Sequence, residues 1–424
     1  MRIRRRGLAA ATVAASALAL AGVPAAGADP APHEAPDRGL YSVPAGDVAT
    51  RSEVAGSGVD VLGVRDGTME IVASPTQAGA LRADGITLNL TGDFDALLAE
   101  RSGGVSTKNA ADFPAGDENY HTYDEMTAEI NQAATDHADI VSVGSIGQSY
   151  EGRDLPLLKI SDNVATDEDE PEVLFTCNIH AREHLTLEMC LHIVTRFTDG
   201  YGTDQFVTDT VNGKEIWLVP TMNPDGAEYD IQGGQYDGWR KNRQPNRDGS
   251  IGTDNNRNFS YNWGCCGGSS STPFSETYRG ESAASAPEVK ALQDWVATRA
   301  VGGTQQIKAH IDFHTFSELV LWPFGHTYDD VTEGMTQEQF DHFADIGTQL
   351  ADSNGYTPQQ SSDLYITDGT MPDTMWATHG ILSYTFEMYP SSGGIDGFYP
   401  PDEVIPEQTT RNDGAVDILL GQAI

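Results

Sequence analysis

The sequence predicts an α/β fold: a mixed, largely parallel twisted sheet with helices on both faces, preceded by a small α+β segment. Three observations carry this. From about Asp112 onward, strand-like apolar runs alternate with helical patterns of 12–20 residues, the arrangement of a parallel sheet with helical crossovers. The strongest runs, such as PEVLFTCNI at 171–179, carry consecutive apolar residues rather than strict alternation, as expected of strands covered on both sides. Residues 59–90 switch to short strands punctuated by turn signals, which marks a separate, smaller unit.

In chain order, residues 29–50 are rich in Pro, Ala and charge and show no period. VDVLGV and MEIVA flank an Asp66-Gly67 turn and read as a hairpin. SPTQAGALRADG is a short helix stopped by Gly85, and ITLNL is another strand. SGGVSTKNAA at 102–111 is small and polar, a linker and a natural nicking site. Thr122 and Glu125 form a capping box for a helix carrying Met126 and Ile130. IVSVGSIG, LPLLKI and PEVLFTCNI are strands, and LTLEMCLHIVTRF places Met189, Ile193 and Phe197 on one helical face. EIWLVP is a strand ending in the loop NPDG. Ser285 and Glu288 box the helix PEVKALQDWVATRA, which stops at Gly302-Gly303. IKAHIDF is a strand, 336–355 a helix with Phe340, Phe343, Gly347 and Leu350 inward, and ILSYTFEMY the last strand.

The chain has 63 acidic and 25 basic residues and a net charge of −38. Nucleic-acid binding needs a basic face, so that class is excluded. MRIRRR, the apolar stretch GLAAATVAASALALAGV and AGA ending at Ala28 read as a secretory signal peptide over 1–28. No later stretch is long enough to span a membrane. The expected product is secreted. Cys177, Cys190, Cys265 and Cys266 suit an oxidising compartment. None has the C-x-x-C spacing of a structural zinc site, so they are expected in disulfides.

Residues 178–184, NIHAREH, raise two readings. His180 and Glu183 could bind a metal with a distant third residue, or His180 and His184 could do so with Glu183 as base, the H-x-x-E-H pattern of inverted zinc peptidases. His180 follows a β-type run directly, and a strand-to-helix junction suits the His180/Glu183 reading better. His314 follows IKAHIDF and Glu387 closes SYTF. All three groups thus lie near the carboxyl ends of strands, where open α/β sheets bind ligands.

From about Asp112 to the C-terminus the sequence resembles the zinc carboxypeptidases of the pancreatic A/B and bacterial T type. The matching segments keep the family's order: HARE at 180–183, NPDG at 223–226, WRKNR at 239–243, DNNRN at 254–258, SETYRG at 275–280, HTFSELVLWPFG from 314, Tyr365, and TFE at 385–387. Residues 50–100 resemble the family's activation segment. After the signal peptide read over 1–28, the resemblance implies a propeptide with linker over 29–111 and a catalytic domain over 112–424. It implies one zinc per chain on His180, Glu183 and His314, with Asp254 behind His180. Glu387 would be general base and acid, and Arg240 would stabilise the oxyanion. Asn256 and Arg257 would capture the substrate's terminal carboxylate, Arg182 would contact substrate further in, and Tyr365 would close over it. Phe316 departs from the pancreatic pattern, which has tyrosine there.

The implied activity is hydrolysis of the C-terminal peptide bond of peptides and proteins by a monomer, after an activating protease cuts within 102–112. The specificity floor falls on Pro372, with Met371 and Thr370 beside it. None is charged, so hydrophobic or aromatic C-termini are expected to be preferred, with weaker release of Lys and Arg. Asp368 and Asp373 would matter if the loop were shifted. Some pancreatic relatives bridge the positions of Cys177 and Cys190, which implies that pair here and leaves Cys265 and Cys266 as a vicinal pair or free thiols. Acidic loops could hold calcium, but no EF-hand spacing supports it. Two rivals stand beside this reading: an inverted-motif endopeptidase, and a non-catalytic secreted peptide-binding protein, which would be expected to lack Glu387 or a ligand.

Overall fold

The computed structural model of the chain describes residues 36–103 and 112–424. The expected signal peptide and residues 104–111 of the expected linker lie outside the described residues. The N-terminal unit runs β1 (Gly39–Pro44), α1 (Val48–Gly56), β2 (Asp60–Arg65), β3 (Thr68–Ala73), α2 (Pro75–Ala83), β4 (Asn89–Asp93) and α3 (Phe94–Arg101). Its sheet is antiparallel in the order β2-β3-β1-β4. The β2–β3 hairpin turns at Asp66 and Gly67, both at positive φ, the backbone that a two-residue hairpin loop requires.

This unit corrects two expectations. The stretch read as aperiodic contains β1 and the start of α1, capped by Asp47. Gly39 and Pro44 stand at the two ends of this strand, residue types that read as loop rather than strand. The strand expected at ITLNL begins only at Asn89 and runs to Asp93.

The larger unit opens with α4 (Tyr123–Asp136), β5 (Val141–Gln148), β6 (Asp154–Ile160), β7 (Glu172–Cys177), α5 (Leu185–Gly200), α6 (Gln205–Val211), β8 (Glu215–Val219) and α7 (Pro224–Asp230). It continues with α8 (Pro287–Thr298), a hairpin of β9 (Ala300–Val301) and β10 (Thr304–Gln305), β11 (Ile307–Thr315) and β12 (Leu319–Trp322). Then come α9 (Gln337–Asn354), β13 (Thr357–Gln360), α10 (Ser361–Leu364), α11 (Met371–His379) and β14 (Leu382–Met388). Three helices close the chain: α12 (Ile395–Phe398), α13 (Ile405–Thr410) and α14 (Asp413–Gln422).

The main sheet has the order β13-β12-β14-β11-β7-β8-β6-β5. Its centre, β14-β11-β7-β8, is parallel, and antiparallel pairs flank it. Successive strand residues face opposite sides, and both sides are buried. Val173 and Phe175 join Met189, Ile193 and Phe197 of α5 in one core, while Leu174 joins Val289 and Leu292 of α8 and Met375 of α11 in the other.

Two local readings change. NPDG opens α7: Asn223 accepts from the Gly226 amide, and Pro224 takes the first helical position, where its missing N–H costs nothing. The box expected from Ser285 and Glu288 does not form. The Ala286 amide instead donates to Asn258 Oδ1, and Glu288 accepts from Asn242 and the Tyr150 amide. That helix ends at Thr298, and Gly302-Gly303 turn the hairpin after it.

Candidate active site

Three parallel strands deliver their carboxyl ends to one place. β7 leads directly into His180 and Glu183, β11 ends around His314, and β14 sets Glu387 opposite His314 in register. After β7 the chain curls through Asn178 at positive φ, which asparagine tolerates better than most residues. Its side-chain amide donates to the carbonyls of His180 and Ala181, both at 3.2 Å. The following helix begins only at Leu185, so His180 and His184 do not share a helix face. His184 turns away, bonding Asp230 through Nε2 at 2.8 Å and packing edge-on against Phe113.

His180, Glu183 and His314 converge, with one donor atom of each within 4.8 Å of the others and all three buried. His180 Nδ1 lies 2.9 Å from Glu183 Oε1 and 3.1 Å from His314 Nδ1, and His314 Nδ1 lies 3.1 Å from Glu183 Oε2. Each imidazole turns Nε2 to a carboxylate, His180 to Asp254 at 3.2 Å and His314 to Asp312 at 2.8 Å. With Nε2 donating, the neutral ring presents a lone pair at Nδ1. Two lone pairs and a carboxylate thus point at one buried spot, an electron-rich centre that fits a cation. Two imidazoles and one carboxylate form the open donor set of catalytic zinc.

Around it lie the other expected residues. Arg240 clasps Asp254 Oδ2 through Nε (3.2 Å) and Nη2 (3.0 Å), and its Nη1 stands 4.0 Å from Glu183 Oε1. Burial alone would push Asp254 upward; Arg240 and His180 outweigh it and hold the carboxyl well below the usual range. Asn256 and Arg257 lie in a 3₁₀ turn, Asn255–Arg257, capped by Asp254. Nε of Arg257 donates to the Gly268 carbonyl and Nη1 to that of Asn256, which fixes the guanidinium plane. Glu387 is pushed up to about 7, mainly by burial, with Glu183 adding to the effect and His314 opposing it. Tyr365, pushed up by burial, packs on the core of the N-terminal unit.

These groups line a single cleft with Phe316, Thr370, Pro372 and Thr385. Met371, expected beside the floor, does not face it. Its side chain is buried in the α8/α11 core and its amide donates to Asn256 Oδ1. Gly369 allows this close approach: it has positive φ, and a Cβ there would stand 2.5 Å from the Arg257 carbonyl oxygen. Asp368 and Asp373 are both consumed. Asp368 accepts from the Cys266 and Gly268 amides and the Ser269 hydroxyl, and Asp373 from the Gly325 amide and His326.

Arg182 is not brought to the cleft. It is fully buried, forked onto Asp60 at 2.6 and 2.7 Å, with its guanidinium 4.0 Å above the Phe398 ring. Beside Asp60, residues Val61, Leu62 and Gly63 of β2 form one wall of the cleft. Cys177 and Cys190 are disulfide-bonded, as are the neighbours Cys265 and Cys266. The first bridge ties the end of β7 to α5. Two further carboxylate groups occur among the described residues, Asp162/Glu168/Glu170 and Asp167/Glu172/Glu215. The second already holds a cation, since Arg299 bonds Asp167 and Glu172.

The family model for zinc carboxypeptidases matches residues 126–413. The chain belongs to the zinc carboxypeptidase family. It is 51% identical to a zinc carboxypeptidase of Saccharothrix mutabilis subsp. capreolus, over 98% of this chain and 96% of that one. To carboxypeptidase A1 of Rattus norvegicus it is 32% identical, over 68% of this chain and 66% of the relative. The crystal structure of carboxypeptidase A from Helicoverpa armigera matches its fold with a TM-score of 0.73 at 24% identity, covering 92% of this chain and 98% of that one. This chain is therefore a metallo-exopeptidase, and zinc is its cofactor.

For this carboxypeptidase, sequence reasoning missed two neighbours of the expected site. Asp60 was hidden because its partner Arg182 lies 122 positions away. Asp312 had a visible signal, a carboxylate two residues before a histidine in the run IKAHIDFH. On a strand that spacing puts both side chains on one face.

Proposed function

We propose that this chain is a secreted proenzyme of a zinc carboxypeptidase that releases C-terminal residues one at a time, favouring hydrophobic and aromatic ones. The observation that carries the reading is the convergence of His180, Glu183 and His314 with Arg240, Arg257 and Glu387 in one cleft walled by β2.

His180, Glu183 and His314 would hold the zinc, which when bound supplies a Lewis acid that polarises a carbonyl and acidifies water. The chain's own groups account for the rest. Arg257 and Asn256 grip the substrate's terminal carboxylate, a charge-assisted and directional contact. That buried cation restricts cleavage to chain ends. Glu387, raised by burial toward neutrality, is suited to take a proton from the attacking water and return it to the leaving amine. Arg240 offers N–H groups where negative charge develops on the carbonyl oxygen. Tyr365 closes over the substrate once the N-terminal unit leaves, and Arg182 becomes available to residues further in.

The proenzyme reading rests on three contacts of the N-terminal unit. Asp60 occupies Arg182, β2 walls the cleft, and Arg51 donates to the carbonyls of Leu364 and Asp363 beside Tyr365. The fold match to the insect enzyme covers 92% of this chain and so reaches into this unit. Mass spectrometry of products from free-ended and C-terminally amidated peptides tests the activity. Stepwise loss from free ends with amidated peptides spared is expected; internal cuts would favour the inverted-motif endopeptidase.

A further inference from the structure

The centre of the main sheet contains a row of buried polar side chains that runs back from His314 and, beyond that residue, is not used by the reaction as described. His310, Asp312 and His314 alternate along β11 with Ala309, Ile311 and Phe313, which enter the core facing α5. The three polar residues therefore share the opposite face, and each is essentially inaccessible to solvent. Polar groups in such a place are costly unless bonded, and these are bonded in one continuous line. His314 Nε2 meets Asp312 Oδ2 at 2.8 Å, and Thr176 of β7 donates its hydroxyl to Asp312 Oδ1 at 2.7 Å. His310 Nε2 lies 2.9 Å from the same hydroxyl, and His310 Nδ1 lies 2.8 Å from the hydroxyl of Ser383 on β14.

One proton arrangement satisfies every member. Thr176 spends its hydrogen on Asp312, so its oxygen accepts from His310 Nε2–H. The remaining His310 nitrogen then accepts from Ser383. This makes His310 a neutral ring, and burial indeed holds it down at about 4. Asp312, with Thr176 on one oxygen, keeps the other for the His314 N–H.

We infer that Asp312 is a positioning residue for His314, held in place by Thr176 and His310, and that it presents the Nδ1 lone pair of His314 to the zinc. The inference rests on His314 being a ligand, and it gives the site two carboxylate-backed imidazoles: Asp254 behind His180 and Asp312 behind His314. A carboxylate behind a ligating imidazole fixes the tautomer and ring orientation and raises basicity, and its loss usually costs 10–100-fold in metal affinity. Asp312 and Thr176 touch neither the substrate-binding arginines nor Glu387 through any hydrogen bond found among the described residues, so their effect should appear in metal binding first.

The test is zinc affinity by competition with a chromophoric chelator, on the whole chain, with near-ultraviolet circular dichroism of the metal-free protein as a check of fold. Asp312→Asn is expected to bind zinc about 10–100-fold more weakly with the metal-free fold retained. Thr176→Val should give a smaller loss in the same direction, and Thr176→Ser, which keeps the hydroxyl, should restore affinity. The visible spectrum of the cobalt(II)-substituted protein should shift in Asp312→Asn, which a merely structural role would not produce. If Asp312→Asn does not fold, the valine and serine pair decides the matter alone. Equal zinc affinity in those two variants, or in Asp312→Asn and the parent, overturns the inference. His314→Ala run alongside separates the two claims: if it retains zinc, the ligand assignment fails; if it loses zinc while the other variants bind normally, only the positioning role fails.

Discussion

Asp60 closes a two-pronged ion pair on Arg182 where neither side chain meets much solvent, at 2.6 and 2.7 Å. The pair joins β2 of the N-terminal unit, which walls the cleft, to Arg182 of the larger unit. Removing one partner of such a pair leaves a buried charge uncompensated and typically costs about 3–5 kcal/mol. Asp60→Ala should therefore loosen the docked N-terminal unit. The uncleaved chain is expected to hydrolyse a small free-ended peptide faster than the uncleaved parent, while the two converge after proteolytic removal of the unit. An unchanged rate in the uncleaved variant would show that the pair does not control access.

Acid should act on the same contact. Burial alone would raise the Asp60 carboxyl, but Arg182 outweighs it and holds it below its ordinary value. A carboxylate depressed in the docked state contributes docking energy in full above its ordinary value of about 3.9. The contribution is lost as pH falls through the depressed value. Brief exposure below about pH 4 should increase susceptibility of the N-terminal unit to an added protease, and Asp60→Asn should flatten that dependence. A variant as acid-sensitive as the parent would assign the effect to other groups.

His314 and the second histidine of HAREH, His184, are expected to separate cleanly. His314→Ala should greatly weaken zinc binding by metal analysis. His184→Ala should keep the zinc, because His184 bonds Asp230 and lies outside the converging group. Its cost should appear instead as lowered thermal stability, since Asp230 loses a buried partner. An empty site in His184→Ala alone would revive the inverted reading.

Glu387→Gln removes the proposed proton acceptor and leaves His180, Glu183 and His314 in place. Turnover is expected to fall by about 10²–10⁴, with zinc content unchanged. Near-parental turnover would require another base.

The parts of this site that were readable in the sequence share a cause. His180, His314 and Glu387 each follow or close an apolar run, so the strand pattern alone places them at one sheet edge. Arg240, Arg257 and Tyr365 lie in loops without any period, and only the ordered family segments marked them. The expected box at Ser285 failed for a tertiary reason, because Asn242 and the Tyr150 amide take the Glu288 carboxylate that would have closed it. The bonding of His310 and Asp312 was not legible for another reason. Alternation of polar and apolar residues ordinarily marks a half-exposed strand, whereas β11 is central and buried on both sides. Its polar face is satisfied by Thr176 and Ser383 from the neighbouring strands, partners that the linear pattern does not reveal.

Specificity should follow from which side chains of the segment 368–373 face the cleft. Thr370 and Pro372 do, with Thr385 and Leu321 beside them. The two carboxylates that could attract Lys or Arg are both turned away into hydrogen bonds, Asp368 toward the loop of Cys266 and Gly268, Asp373 toward Gly325 and His326. A cationic side chain entering this pocket would lose water without gaining a partner, which is unfavourable. The ratio of kcat/KM for matched peptides ending in Phe and Arg should favour Phe, and Asp368→Asn or Asp373→Asn should leave that ratio unchanged while lowering stability. Thr370→Asp would place a carboxylate at the wall. A charged hydrogen bond contributes about 1.5–3 kcal/mol, so the ratio should move toward Arg by about tenfold or more. A strong Arg preference in the parent that disappears in Asp368→Asn would mean that this loop presents a different residue to the substrate.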